Sequence, residues 1–277
     1  MQRDQDTRVI FVRDPDLPRI EARFSRYRQR VFRKHTHDTY AVGMVQQGIT
    51  DFWCGGRTVA IGPGGIALIN PEQVHACNPR PSRALAYWMF YIGPDLMREI
   101  ACDVFGDDGE YPRFACSVVR DSHLWQGFAD LYILMSSPSD RLEKQVCLYD
   151  TLSGLVSQHT TRCAPSASHD DSSEPMQAAQ AYLLANVTRN ISLEELSAHV
   201  GLSPYHFLRR FRATFGMPPH TYRLQQRVHL AKRMLADGTP IVQVALDTGF
   251  TDQSHFTRRF KTFVGTTPRR YQMANRS

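Results

Sequence analysis

Histidines and arginines carry most of the chemistry open to this chain. His35 and His37 stand one residue apart, and His75 follows well downstream. Three imidazoles can hold Fe, Mn or Zn, hydrogen-bond an organic molecule, or sit satisfied in a core. Asp38 is the one acid beside them, and on a strand it would point to the side opposite His37. The six cysteines, at 54, 77, 102, 116, 147 and 163, are scattered singly, so neither a zinc framework nor a disulfide scaffold is expected. The arginines are different, because their setting is written twice.

The first copy runs Leu193, Leu196 and Val200 to Gly201-Leu202-Ser203, then His206-Phe207-Leu208-Arg209-Arg210-Phe211, then Gly216, Pro219 and Tyr222. The second runs Ile241, Val244 and Thr248 to Gly249-Phe250-Thr251, then His255-Phe256-Thr257-Arg258-Arg259-Phe260, then Gly265, Pro268 and Tyr271. The offset is 48 residues up to the glycine and 49 after it, which places one extra residue at the start of the second arginine-bearing helix.

Each copy reads as helix, tight turn and helix. The glycine tolerates positive φ just past the first helix, and Ser203 caps the next. Small residues at the crossing, Ser197 and Ala245, let the two helices approach closely. Phe207 and Phe211, like Phe256 and Phe260, stand four apart and give each second helix an aromatic inner face, with arginines on the outer one. That is the helix-turn-helix arrangement, whose second helix enters the major groove of DNA. Pro219 to Ala236 reads as one connecting helix. It would span about 27 Å, close to the roughly 34 Å between successive major-groove faces.

From about Glu174 to Ala274 the sequence resembles the AraC/XylS family of bacterial transcription regulators, most specifically at Ile241, Val244, Ala245, Gly249-Phe250, Ser254, Phe256, Arg259-Phe260-Lys261, Gly265, Pro268 and Tyr271. The resemblance implies an all-α domain of seven helices. Its DNA-contacting positions fall on Tyr205, Leu208 and Arg209, and on Gln253, Ser254, Thr257 and Arg258. Leu208 is apolar where a polar reader is common, so it meets a thymine methyl or makes no specific contact. Arg209 and Arg258 are the expected base readers, with Arg210, Arg259 and Lys261 closing the core or touching phosphate. Activation is implied by the family alone, and it would make RNA polymerase a partner.

Charge divides the chain in the same place. From Glu174 onward 14 Lys or Arg stand against 6 Asp or Glu; before it, 19 stand against 21. The whole-chain net charge of +6 is therefore concentrated in the repeat half, as a phosphate-binding module requires. The start, Met-Gln-Arg-Asp, has no apolar run behind it, and no stretch approaches 18 apolar residues. Secretion and membrane insertion are not expected, and the location expected is cytoplasmic.

Residues 1 to about 20 read as an arm without its own core, and the basic stretch Arg19 to Lys34 as a solvated strand pair. Between His35 and Phe90 the period becomes that of strands: Tyr40 to Val45, Thr50 to Cys54, Arg57 to Ile61, Ile66 to Ile69 and Ala84 to Tyr91, punctuated by Gly48, Gly55-Gly56, Gly62-Pro63-Gly64-Gly65 and Pro71. This spacing predicts a small antiparallel barrel or jelly roll. The phrases His35-Thr-His37-Asp-Thr-Tyr40, Gly62-Pro63-Gly64-Gly65 and Ile69-Asn-Pro71-Glu-Gln-Val-His75 resemble the cupin-type effector domain at the N-terminus of many AraC-family regulators. A metal cupin adds a glutamate to its histidines, and here positions 40 to 43 read Tyr-Ala-Val-Gly, so no metal is assigned. A small-molecule effector in the barrel mouth would meet His37, Tyr40, Trp53, His75, Trp88 and Tyr91. Helices follow at Pro94 to Val104, Ser122 to Met135 and Asp140 to His159, the last with an apolar stripe; the family resemblance implies that they form a homodimer contact. Residues 161–174 hold no large apolar side chain and read as a linker.

The expectation is thus an α+β chain of two domains. Residues 1–160 form a cupin-like barrel with helices that binds the effector and dimerises. Residues 175–277 form an all-α module with two helix-turn-helix motifs that binds double-stranded DNA. No catalytic residue and no cofactor is expected. Two rivals stay open: a metal-dependent cupin enzyme carrying a DNA-binding tail, and a DNA-repair alkyl acceptor, which needs an activated cysteine.

Overall fold

Strands fill the first part of the chain: β1 (Arg8–Arg13), β2 (Ile20–Tyr27), β3 (Tyr40–Gln47), β4 (Thr50–Cys54), β5 (Arg57–Ile61), β6 (Ile66–Ile69), β7 (His75–Pro79) and β8 (Leu85–Ile92). After helix α1 (Pro94–Phe105) come the short strands β9 (Arg113–Phe114) and β10 (Val118–Val119), then α2 (Ser122–Met135), α3 (Arg141–His159) and β11 (Thr160–Thr161). The computed structural model describes residues 8–27, 34–80, 84–106, 111–161 and 174–274, and they divide into two units, the second made up chiefly of the residues after β11. The expected linker therefore lies almost wholly outside the described residues, as do residues 1–7, Arg28, Arg30, Arg33 and Cys163.

In the first unit a six-stranded antiparallel sheet runs β1-β2-β8-β3-β6-β10, and a three-stranded one runs β5-β4-β7. The sheets are not closed into the barrel that strand spacing suggests; among the described residues no strand belongs to both. Closure needs continuous pairing around the ring. Here the chain changes sheets through loops, at Gly62–Gly65 between β5 and β6 and at Asn70–Gln73 between β6 and β7. A second correction concerns the N-terminal arm. Arg8–Arg13 is the edge strand of the large sheet, in register with β2 from Arg8↔Arg26 to Arg13↔Glu21, and Phe11 is buried.

The pleat gives the large sheet two unlike faces. Ile20 and Ala22 of β2, Tyr40, Val42 and Met44 of β3, Ile66 and Leu68 of β6, and Phe90 and Ile92 of β8 point one way and join Leu96, Phe128, Leu131, Leu152 and Leu155 of α1–α3 in one apolar core. The helices begin cleanly: Asp121 accepts from the amides of His123 and Leu124, and Asp140 from those of Leu142 and Glu143. Glu21, Arg23, Ser25 and Tyr27 of β2, with Tyr87, Met89 and Tyr91 of β8, point the other way. Burial on both sides explains why β3 and β8 read as near-continuous apolar runs rather than alternating ones.

The second unit is helical: α4 (Glu174–Ala185), α5 (Leu193–His199), α6 (Pro204–Phe215), α7 (Pro219–Ala236), α8 (Ile241–Asp247), α9 (Gln253–Val264) and α10 (Pro268–Met273). The repeat in sequence is a repeat in space. Phe207 and Phe211 lie 5.5 Å apart, Phe256 and Phe260 5.4 Å, and all four are fully buried. Phe211 meets Tyr222 edge-on at 5.9 Å, and Phe260 meets Tyr271 at 5.5 Å. Gly216 and Gly265 close α6 and α9 in the left-handed conformation. The extra residue of the second copy sits in its turn. Ser203 caps α6 from His206 N, whereas Asp252, one place beyond Thr251, caps α9 from His255 N.

Candidate functional site

Both arginine-bearing helices turn their charged side chains outward. On α6, Arg209 is exposed and Leu208 half-buried; the side chain of Tyr205 is outside the described residues. On α9, Gln253, Ser254 and Arg258 are exposed and Thr257 is half-buried. Their spacing puts them on one face around the start of the helix, opposite Phe256 and Phe260. His255 and Arg259 flank that face and are joined, Arg259 Nε donating to His255 Nε2 at 3.3 Å. The Asp252 carboxyl is held below the usual range chiefly by the His255 amide, so the cap is ionised.

What holds the second motif in place is a residue that sequence reading passed over. Arg227 of α7 is buried, and its guanidinium donates to four backbone carbonyls: Nε to Val187 (2.8 Å), Nη1 to Gly249 (2.6 Å), and Nη2 to Thr188 and Arg189 (both 3.0 Å). It thereby ties the α4–α5 loop to the turn of the second motif. Burial and the neighbouring Arg223 push its pKa down to about 10. Arg223 adds a bond to the Arg189 carbonyl at 3.0 Å. The available signal was a basic residue between the buried Tyr222, Gln225 and Val228 of an otherwise amphipathic helix.

In the first unit, three of the six expected effector residues come together. His37 lies 4.9 Å from His75 and 5.0 Å from Tyr91, ring centre to ring centre. The Glu72 amide donates to the His37 carbonyl at 2.7 Å, and His75 Nδ1 bonds the Gln73 carbonyl at 2.8 Å, so a single turn positions both imidazoles. That second bond makes Nδ1 the protonated nitrogen. Burial pushes the His75 pKa down to about 4, which leaves the ring neutral. One ring nitrogen each from His35, His37 and His75 lie within 4.8 Å of one another, a donor group of imidazoles alone.

The other three residues are elsewhere, for reasons of strand parity. Tyr40 belongs to the helix-facing core, with its hydroxyl donating to the Pro112 carbonyl at 2.5 Å and its ring edge-on to Phe114. Trp88 also faces the helices and stacks on Tyr132 at 4.8 Å. Trp53 alternates with the buried Phe52 and Cys54 and so points out of β4 on the side away from them. In their place stand residues not anticipated. Arg23 is only 4% exposed; its Nε donates to Ser25 Oγ at 2.8 Å, Nη1 to the Tyr91 hydroxyl at 3.3 Å and Nη2 to the Tyr27 hydroxyl. The Phe11 ring lies 5.5 Å from its guanidinium carbon. Burial pushes the nearby Cys77 thiol up to about 12.

Comparison with known proteins matches both units. Residues 17–152 fit the AraC-like ligand binding domain, and residues 196–274 a helix-turn-helix domain. Over 251 residues the chain is 32% identical to the HTH-type transcriptional regulator YbfI of Bacillus subtilis (strain 168), covering 90% of each sequence. The chain belongs to the AraC family of transcriptional regulators. This AraC-family regulator is also 24% identical over 225 residues to the arabinose operon regulatory protein of Escherichia coli (strain K12), covering 78% of this chain and 74% of that one. Its fold is shared with apo ToxT K231A from Vibrio cholerae strain SCE256, with a TM-score of 0.58 and 13% identity across 97% of this chain and 96% of ToxT. The regulator therefore joins a ligand-binding domain to a helix-turn-helix DNA-binding domain. Among its described residues no helix is long and apolar enough to cross a membrane.

Proposed function

We propose that this regulator reads two adjacent major-groove segments with α6 and α9, and that an effector held against the polar face of the large sheet changes how well it does so. Arg209 and Arg258 contact base edges, and Gln253, Ser254 and Thr257 support the second contact, with Tyr205 and Leu208 at the corresponding places on α6. The observation that carries this reading is the congruence of the two motifs, with matched caps, matched buried Phe pairs and an exposed arginine at the same outward place. Effector and DNA are linked by whichever arrangement of the ligand-binding domain each favours.

The regulator acts in the cytoplasm as a homodimer. Exposed Ile133 (58%), Leu142 (67%) and Val146 (51%) border a groove of about 790 Å³ between α2 and α3, an apolar face suited to a second copy. Activation, with contact to RNA polymerase, is the outcome inferred from kinship. No catalysis is assigned. The imidazole group lacks the carboxylate of a metal cupin, and hydrogen bonding to the effector is the role we propose for it. The test is binding of an operator duplex and a scrambled duplex by fluorescence anisotropy. Arg258→Ala costs about 1–3 kcal/mol on the operator and little on the scrambled duplex. Wild-type discrimination by the variant would overturn the assignment.

A further inference from the structure

Beside the reading face of α9 lies a groove of about 430 Å³, bounded by His255 and Arg259 of α9, His220 and Arg223 of α7, and Thr188 and Asn190 of the α4–α5 loop. Among the described residues none that lines it is acidic. Two of its arginines are engaged with the protein. Arg227 donates to four backbone carbonyls, and Arg223 Nη1 donates to those of Arg189 and Ile191 at 3.0 and 3.4 Å. These two guanidiniums therefore act on the groove as fixed charge, not as donors to a ligand.

Arg259 is different, because a relay of side chains orients it without occupying it. The Thr251 hydroxyl donates to Asp252 Oδ2 at 3.2 Å and so accepts from His255 Nδ1 at 3.1 Å. With its proton on Nδ1, His255 turns the lone pair of Nε2 to Arg259 Nε, 3.3 Å away. At the far end of the relay the Asp252 carboxylate is held by the His255 amide at 2.7 Å. Arg259 is exposed, and among the described residues its two terminal nitrogens have no protein acceptor. Its single bond sets the plane of the guanidinium and leaves the end of the fork open, as bidentate bonding to a phosphate requires.

The position of the groove says where that phosphate comes from. A major groove is about 12 Å wide and a helix with its side chains about 10–12 Å across, so a helix seated there turns its flanks to the two sugar-phosphate strands. Arg258 and Arg259 leave α9 about 100° apart. With Arg258 toward the base edges, Arg259 and the groove beside it face one backbone strand. We propose that this groove seats one backbone phosphate of the bound duplex, gripped by the terminal nitrogens of Arg259 in the field of Arg223 and Arg227, and that the seat sets the register of α9. This rests on the reading that α9 lies in a major groove. The contact carries no base information; it fixes the frame in which Arg258 reads.

The experiment uses the full chain and two duplexes, one of random sequence and one selected by the chain from a random pool. Arg259→Gln weakens both on the order of tenfold and lowers the slope of log affinity against log salt by about 1. Because Arg259 is exposed, the variant keeps the wild-type melting temperature. Arg259→Lys restores the slope but only part of the affinity, since an ammonium has no fork; full recovery would overturn the bidentate grip. In the selected duplex each phosphate is then replaced in turn by a neutral methylphosphonate. Wild type loses on the order of tenfold at a single phosphate or its neighbour, beside the bases read by Arg258, and Arg259→Gln loses nothing further there. An unchanged salt slope, or the same methylphosphonate profile in both proteins, overturns the proposal. Inorganic phosphate at about 10 mM gives no melting shift; a shift that Arg259→Gln removes assigns the groove to a free anion and overturns the assignment to DNA. The underlying reading is judged apart. Discrimination lost in Arg258→Ala, with a phosphate profile indifferent to Arg259, upholds the reading and sinks the seat. A phosphate that depends on Arg259, with discrimination intact in Arg258→Ala, does the reverse.

Discussion

Replacing Arg227 by Met keeps most of the side-chain volume and removes every donor. Four carbonyls lose a charged partner at once: Val187, Thr188, Arg189 and Gly249. A hydrogen bond to a charged group contributes about 1.5–3 kcal/mol, and leaving a buried acceptor unmet costs more than an average bond returns. Thr188 and Arg189 lie in an exposed loop, where water replaces part of the loss; the half-buried Val187 and Gly249 recover less. Relief of burying the guanidinium offsets a further part, so the net destabilisation is about 3 kcal/mol. For a helical domain of this size that lowers Tm by roughly 12–24 °C. The assay is calorimetric melting of the full chain, following the transition that DNA shifts upward. Arg227→Lys falls between, because an ammonium cannot reach four carbonyls from one point. A loss below about 1 kcal/mol for Arg227→Met would refute the clamp.

Gly201 and Gly249 occupy equivalent turns with φ of +67° and +79°, yet they should respond unequally to alanine. Gly201→Ala meets only the left-handed strain of about 1–2 kcal/mol, since nothing lies within 4 Å of its added carbon. Gly249→Ala also drives a carbon to 2.4 Å from the Thr188 carbonyl, so chemical denaturation should show a loss at least about twice as large. His75 predicts an acid limb. Its folded pKa lies below the unfolded one, so the stability from its neutral form is complete above about pH 6.5 and is lost as pH falls toward 4. The total is about 3 kcal/mol, which His75→Gln removes from the urea-derived pH profile; an unchanged slope would contradict the burial argument. Leu142→Glu, at 67% exposure beside Val146, should turn a dimer into a monomer in sedimentation without changing the melting of either unit; an unaltered mass would remove this face from the dimer contact.

The helical unit was legible because a helix-turn-helix writes its physics locally. Glycine at a left-handed turn, a capping side chain and two Phe four apart are all contiguous signals, and a second copy repeats them. The place of the extra residue was read less well: both Thr251 and Asp252 can cap, and which one does depends on turn geometry. The first unit was harder because the place of a side chain depends on which face of a strand it takes. Tyr40 and Trp88 share their chemistry with His37, His75 and Tyr91, but strand parity turns them to the helix-facing side of the sheet, and Trp53 points away from the buried residues of β4. Arg23 is buried on the same face as Tyr91, yet it sits in a basic run that suggests solvent. Barrel closure could not be judged from strand spacing, since the loops at Gly62–Gly65 and Asn70–Gln73 decide which sheet each strand joins.

The most direct measurement is a base-by-base scan of the operator, in which every pair is substituted in turn and affinity is read for wild type, Arg209→Ala and Arg258→Ala. Two separate readers on one rigid helix predict that each variant loses discrimination at its own short cluster of bases, the clusters lying about one helical turn, roughly 10 base pairs, apart. Loss at the same bases in both variants, or discrimination intact in either, would contradict the account.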